Sequence, residues 1–240
     1  MSRAQTITTH RLVPEAILCV PKSQAADYRA IGPDILTHPD QVKGLTPKLN
    51  WILDHFKGDD VLLLDDDLTA LAKCFISPGE RPSHTRDPGQ IAAVIRQTAR
   101  LAGEIGAYLW GFEANHEAIR YYTGLKPFML TGYINGCATG FRRGHGLRYD
   151  ERIVAKNDFD ICCQNAWRHR LVFKNCRYAW VQKDTFCGAG GQSHWRTSQT
   201  ERNDVALLQR KYGDVIQVSR PRHNKRALAG AMKITLSLPF

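Results

Sequence analysis

Asp59-Asp60-Val61-Leu62-Leu63-Leu64-Asp65-Asp66-Asp67-Leu68 is the stretch on which the reading of this chain turns. A short run that is apolar at every position is followed directly by three adjacent carboxylates. A strand apolar on both faces is expected at the centre of a mainly parallel sheet. Neighbouring carboxylates repel one another, so a folded chain that collects them needs a reason. Ligands of open α/β sheets bind outside the carboxyl ends of the strands, and that is where these aspartates fall. Side chains alternate along a strand, so Asp65 and Asp67 point the same way. Two such carboxylates can hold one hard divalent cation, with phosphate and water oxygens completing its shell. The plainer alternative is that they end a strand and cap a turn.

Working outward, the residues before this stretch alternate strand and helix signals. Ala16–Val20 is an apolar run closed by Pro21. Ser23 can cap a short helix reaching about Ala30, stopped by Gly32-Pro33. Ile35-Leu36-Thr37 reads as a second strand. Pro47 suits the first turn of a helix whose stripe is Leu49, Ile52, Leu53 and Phe56, with Gly58 at its end. Strand, helix, strand, helix, strand is a Rossmann-like half. Downstream, Lys73–Arg86 reads as a loop. Asp87-Pro88 opens a strong helix with Ile91, Val94, Ile95, Leu101, Ala102 and Ile105 on one face. Ala107–Phe112 reads as a strand, and Thr123–Gly146, with six glycines, as strands and loops of a mixed sheet. Asp158–His169 and Asn203–Tyr212 read as helices, the second followed by Gly213. The expected fold is α/β: a Rossmann-like N-terminal half, a mixed central sheet and helices on both faces. One domain over 1–240 is expected, with a nucleotide-binding half at 1–110 and a second half at 111–240.

Composition narrows the class. The chain has 240 residues, 43% of them hydrophobic and 23% charged, enough for a full core and unlike a disordered polymer. No apolar run approaches the ~20 residues of a membrane span, and the N-terminus lacks the apolar core of a secretory signal. Seven cysteines, an odd number without a C-x-x-C pair, argue against a disulfide framework or zinc ribbon and for a reducing, cytoplasmic setting. The net charge of +10 points to a polyanionic partner. Half of it lies between Ile216 and Phe240, in Arg220, Arg222, Lys225, Arg226 and Lys233 with no acidic residue.

The ordered set of motifs resembles a GT-A glycosyltransferase. More narrowly, Ile17-Leu-Cys-Val-Pro-Lys-Ser-Gln24, His38-Pro-Asp40, Lys43-Gly-Leu-Thr-Pro-Lys-Leu-Asn-Trp51 and Leu64-Asp-Asp-Asp-Leu68 are similar to phage-type TET-associated glycosyltransferases. The resemblance is clearest over residues 15–68 and 186–216. It implies transfer of a sugar from a nucleotide sugar, UDP-linked, to hydroxymethylated pyrimidines in DNA, with Mn2+ or Mg2+ as cofactor, in the cytoplasm of a phage host.

That resemblance also implies roles. Pro21, Lys22 and Ser23 would line the nucleotide-base pocket, and Lys48 and Asn50 would sit beside the donor. Asp65, Asp66 and Asp67 would bind ribose and metal. Lys156-Asn-Asp-Phe-Asp-Ile161 offers a general base, Asp158 first and Asp160 second; helix capping is the alternative for either. The family motif often has Glu-Asp where this chain has Asn157-Asp158. In Phe186–Arg196, Gly190 and Gly191 would let the backbone approach the donor, His194 would complete the metal shell, and Arg196 would pair with the diphosphate. Arg142, Arg143 and Arg148 in a glycine-rich loop, and Arg220, Arg222, Lys225 and Arg226 in the tail, would meet DNA phosphates. No membrane partner is expected. A sugar nucleotidyltransferase, a metal-dependent nuclease and a non-catalytic DNA-binding protein are the other readings.

Overall fold

The acidic stretch lies at the rim of a sheet that is covered on both faces. In the computed structural model, which describes residues 4, 6–31, 34–74, 83–114, 126–182, 197–218 and 234–237, β3 spans Val61–Leu64. Leu62 and Leu64 pack into one core with Ile91, Ala102, Trp110 and Trp180. Leu63 and Val61 pack into the other, with Leu53, Ile161 and Cys162. Coverage on both faces explains why the strand is apolar at every position.

Parallel pairing does not follow from that pattern. Among the described residues the main sheet has seven strands: β3, β8 (Ala138–Phe141), β6 (Leu109–Glu113), β9 (Val172–Gln182), β4 (Leu68–Lys73) and β5 (Ser83–Thr85) in spatial order, with β7 (Phe128–Met129) also on β9. Among the described residues β3 pairs with β8 alone, antiparallel, and sits at one end of this order. Among the described residues only β6 and β9 run parallel in this sheet. β1 (Leu18–Pro21) and β2 (Ile35–His38) form a separate parallel pair. The expected mixed sheet is present; the expected central, parallel place for β3 is not. An apolar helix on each side, α4 (Pro88–Glu104) on one and α3 (Leu45–His55) with α5 (Asn157–His169) on the other, makes an end strand look central.

Local signals set the helices. Asp87 caps α4 by accepting from the Gln90 N–H at 2.7 Å, with Pro88 in the first turn. Thr197 and Thr200 form a reciprocal cap on α6 (Ser198–Tyr212), and Gly213 closes it with positive φ. The short α2 is Ala25–Arg29, and α3 starts two residues before Pro47. Ser83–Thr85 is a strand within the expected loop. β9, the longest strand, carries no signal noted above: Lys174, Asn175 and Arg177 break its apolar run. Six described cysteines are free thiols.

Where β6 and β8 cross, Trp110 lies opposite Gly140. A Cβ on Gly140 would fall 2.0 Å from the indole, so only glycine lets the ring lie flat on the neighbouring strand. A third cluster, Ile153, Cys163, Val205, Leu208, Ile216 and Ile234, ties α5 and α6 to the antiparallel pair β10 (Ile216–Val218) and β11 (Ile234–Leu236). No helix among the described residues is long and apolar enough to cross a membrane.

Candidate active site

The turn from β3 into β4 holds the three aspartates, and it is fastened from an unexpected direction. The helical turn α1 (Thr9–Leu12) and the residue before it lie against it. The Thr8 and Thr9 N–H groups donate to the Asp66 carbonyl at 2.8 and 3.3 Å. The Thr9 hydroxyl donates to the Asp65 carbonyl at 2.6 Å and accepts from the Leu68 N–H at 3.0 Å. The Thr8 hydroxyl donates to the Leu68 carbonyl at 2.7 Å. Backbone groups of a turn without a ladder partner are thus satisfied by the N-terminal segment. In the sequence these threonines register only as polar residues near the start.

Asp65 and Asp67 do face the same way. The Gln182 amide, at the end of β9, donates to Asp65 Oδ2 at 2.8 Å and to Asp67 Oδ1 at 3.2 Å. Gln182 lies opposite Leu68 in the β4–β9 register, which delivers it to the turn. Burial, then the charges of Asp67 and Asp66, push the Asp65 carboxyl up from 3.8 to about 7; the Gln182 hydrogen bond and the Lys48 charge oppose the rise. Lys48, on α3, therefore stands within electrostatic reach of Asp65. It also acts on the Cys19 thiol of β1.

The second acidic residue lies across a short loop. The Asp65 N–H donates to the Cys137 carbonyl at 2.9 Å. The next residue back, Gly136, lies so close to Asp158 that a Cβ there would meet the Asp158 Cβ at 3.3 Å. The Cys137 thiol is pushed up by burial first, then by the charges of Asp65, Asp67 and Asp158 together. Asp65, Asp67 and Asp158 thus flank one loop. Asp158 Oδ2 accepts a short hydrogen bond from the Tyr133 hydroxyl, whose ring stacks on Phe159 at 4.6 Å. Tyr133 and Gln182 are the functional candidates that sequence reasoning missed. Tyr133 sits in the glycine-rich stretch and Gln182 ends a strand without a local signature.

The start of α5 is held from α6. Asp204 accepts from the N–H groups of Val154, Ala155 and Lys156 at 3.1, 2.6 and 3.1 Å. Lys156 pairs with Glu201 at 2.9 Å, both side chains almost wholly buried. The segment that presents Asp158 is therefore fixed before any ligand arrives.

Other expected residues have different company. Asp160 is fully buried and accepts from Lys211, from Tyr212 Oη at 2.6 Å and from Gln164 at 2.6 Å. It anchors α6 to α5 and does not face the loop with Asp158. Asn50 is likewise buried, and its amide bonds Tyr149 N, Tyr149 O and Glu151 at 2.9, 3.0 and 2.9 Å. Its amide nitrogen and oxygen both bond within the protein. Pro21 ends β1, and Lys22 and Ser23 are exposed just after it; Ser23 donates twice to Asp40, at 2.7 and 3.1 Å.

Arg142, Arg143 and Arg148 lie away from the carboxylates. In the β3–β8 register Leu64 meets Ala138 at the acidic end and Val61 meets Phe141 at the other. Arg142 and Arg143 follow Phe141, about 13 Å of strand from Asp65. Arg148 is held by both oxygens of Asp54 at 2.9 and 2.8 Å. Gly190, Gly191, His194, Arg196, Arg220, Arg222, Lys225 and Arg226 lie outside the described residues.

The donor set suits a hard cation. Two carboxylate oxygens converge on a single amide donor, which marks a point where positive charge is favoured. No group of three or more His, Cys, Asp or Glu forms a complete metal shell among the described residues, so Asp65 and Asp67 would share the ion with ligand oxygens.

Carboxylates gathered where a strand leaves a mixed sheet, with helices on both faces, make this a GT-A-like α/β protein, a scaffold on which sugar transfer is carried out. The chain belongs to the TET-Associated Glycosyltransferase family, whose model matches residues 1–191, and it is accordingly a glycosyltransferase. Among curated proteins no sequence matches it.

Proposed function

We propose that the protein transfers a sugar from a nucleotide sugar, UDP-linked, to the hydroxymethyl group of a modified pyrimidine in DNA, with Mn2+ or Mg2+ held by Asp65 and Asp67. The observation that carries this reading is the position of Asp158 across loop 135–137 from the Asp65–Asp67 pair. It supplies two distinct acidic functions on either side of one ligand position. The cation supplies neutralisation of the diphosphate charge when bound.

The chain's own residues do the rest. Lys48 faces the donor side near Asp65 and stabilises the diphosphate charge. Asp158 takes the proton of the acceptor hydroxyl as its oxygen bonds to the anomeric carbon; the bond from that carbon to the diphosphate breaks, and the nucleoside diphosphate leaves. Tyr133 orients the Asp158 carboxylate. Gln182 holds the two metal-binding carboxylates in one direction. A duplex base has to leave the stack to bring its hydroxymethyl group to this point. The protein works where phage DNA is modified, in the host cytoplasm.

A nucleotide-sugar screen on hydroxymethylated DNA with Mn2+, read by mass spectrometry of the digested nucleosides, tests this. The expected result is a gain of one sugar on one pyrimidine and release of a nucleoside diphosphate. Donor turnover without gain on DNA would move the acceptor elsewhere. Pyrophosphate as product would make the protein a nucleotidyltransferase.

A further inference from the structure

The far end of α5 carries a surface that the transfer reaction does not use. Trp167 is 79% exposed there, the most exposed of the large hydrophobic side chains described. Three residues on, Arg170 caps the helix with φ of 66°, the only non-glycine residue described with positive φ. Glycine is the residue that such a left-handed cap favours. The arginine in its place sets its guanidinium 5.9 Å from the centre of the Trp167 ring. Beside them Arg168 donates to the Gly146 carbonyl at 2.7 Å, while His169, on the other side of the helix, lies tilted against Tyr108 at 4.2 Å. Arg142 covers the same tyrosine at 5.5 Å. Trp167, Leu147, Gln164 and Tyr212 wall a depression of roughly 380 Å³. Of the carboxylates near this depression, buried Asp160 accepts from its walls Gln164 and Tyr212, and Asp54 is occupied by Arg148.

An exposed aromatic face with a guanidinium over it suits an unpaired base, because every base has a π-face and stacking tolerates any sequence. The arginines around it suit the phosphates on either side. A chain of net charge +10 favours this polyanion over an acidic-poor protein partner. We propose that Trp167 and Arg170, with Arg168 beside them, bind a single-stranded stretch of nucleic acid on the side of α5 away from Asp158. Trp167 lies nine positions after Asp158, about 14 Å along α5 and on the opposite side of the helix. The choice of polymer rests on the DNA-acceptor reading; the platform itself does not.

The test is fluorescence anisotropy of labelled, unmodified oligo-dT and of a duplex of equal length, with no donor present. Trp167→Ala is expected to weaken oligo-dT binding about tenfold and duplex binding less, while Trp167→Phe retains most of it. Arg170→Gly is expected to weaken binding while raising Tm, since glycine fits the left-handed cap. Donor hydrolysis should be unchanged in all three variants. Oligo-dT affinity equal to wild type in Trp167→Ala, or losses that follow a fall in Tm, would overturn the proposal. Trp167-dependent binding in a protein that transfers no sugar to DNA would sink the acceptor reading alone. Transfer to DNA with binding indifferent to Trp167 would sink the platform alone.

Discussion

Asp158 and Asp160 sit two positions apart on one turn of helix, where side chains point to nearly opposite sides. One reaches the loop that carries the acidic turn; the other is buried against Lys211 and Tyr212. The sequence resemblance puts Asp158 first and Asp160 second, but both are acidic residues in a helical first turn, and only the contacts distinguish them. Substitution separates them. Asp158→Asn should reduce kcat by a factor of about 10² to 10⁴ with the urea midpoint unchanged. Asp160→Asn should instead lower stability by about 3 kcal/mol, since it leaves a buried network without its central charge. Equal loss of stability in both variants would remove Asp158 from catalysis. Asp65 gives a pH-dependent counterpart. Its folded carboxyl titrates near 7 against 3.8 when unfolded, so the folded state keeps a proton that the unfolded state gives up. The associated stability is complete below about pH 4 and is lost as pH rises through 7. Asp65→Asn removes this loss. In EDTA its advantage in urea unfolding over wild type should be absent near pH 4 and reach about 4 kcal/mol at pH 8. A gain independent of pH would contradict the titration. Transfer should be abolished throughout.

Elements differ in how much of them a local stretch of sequence can declare. The α4 helix is legible because its cap, its proline and its stripe all lie within its own residues. The acidic turn is legible as a site because its residues are adjacent. What holds it in place is not, since Thr8 and Thr9 are nearly sixty positions away. Thr9→Val keeps shape but strips the Asp65 carbonyl and the Leu68 N–H of their partner. That should cost about 2 kcal/mol and reduce transfer more than the stability loss alone predicts. Chemical unfolding together with initial rates would check it; full activity would show that the turn holds itself. Gly140 is a case where the sequence shows the residue but not the need for it. Gly140→Ala should destabilise by about 2 kcal/mol or more, seen as a lower Tm, because the Trp110 ring has no space to retreat.

Across the whole molecule, the α/β class and the helices on both faces were readable from hydrophobic pattern. Pairing direction was not. An apolar run reports what covers a strand, and β3 is covered on both sides while pairing antiparallel at one end of the sheet. The basic loop 142–148 was readable as basic but not as distant, because strand register decides at which end of a sheet a loop emerges. β9 is the extreme case. Its first half lies parallel to β6 and its second half antiparallel to β4. It ends on the amide that joins Asp65 to Asp67 across 117 and 115 positions of chain.

That strand also sets an order in time. During synthesis the three aspartates leave the ribosome long before Gln182 does, and until then β6 and β4 have nothing between them. The nascent chain therefore holds a half-built sheet with open edges and an unclamped acidic turn. Pairings of such long sequence separation close slowly. Competence for the reaction arrives late and all together, when the last long strand slides between its two neighbours.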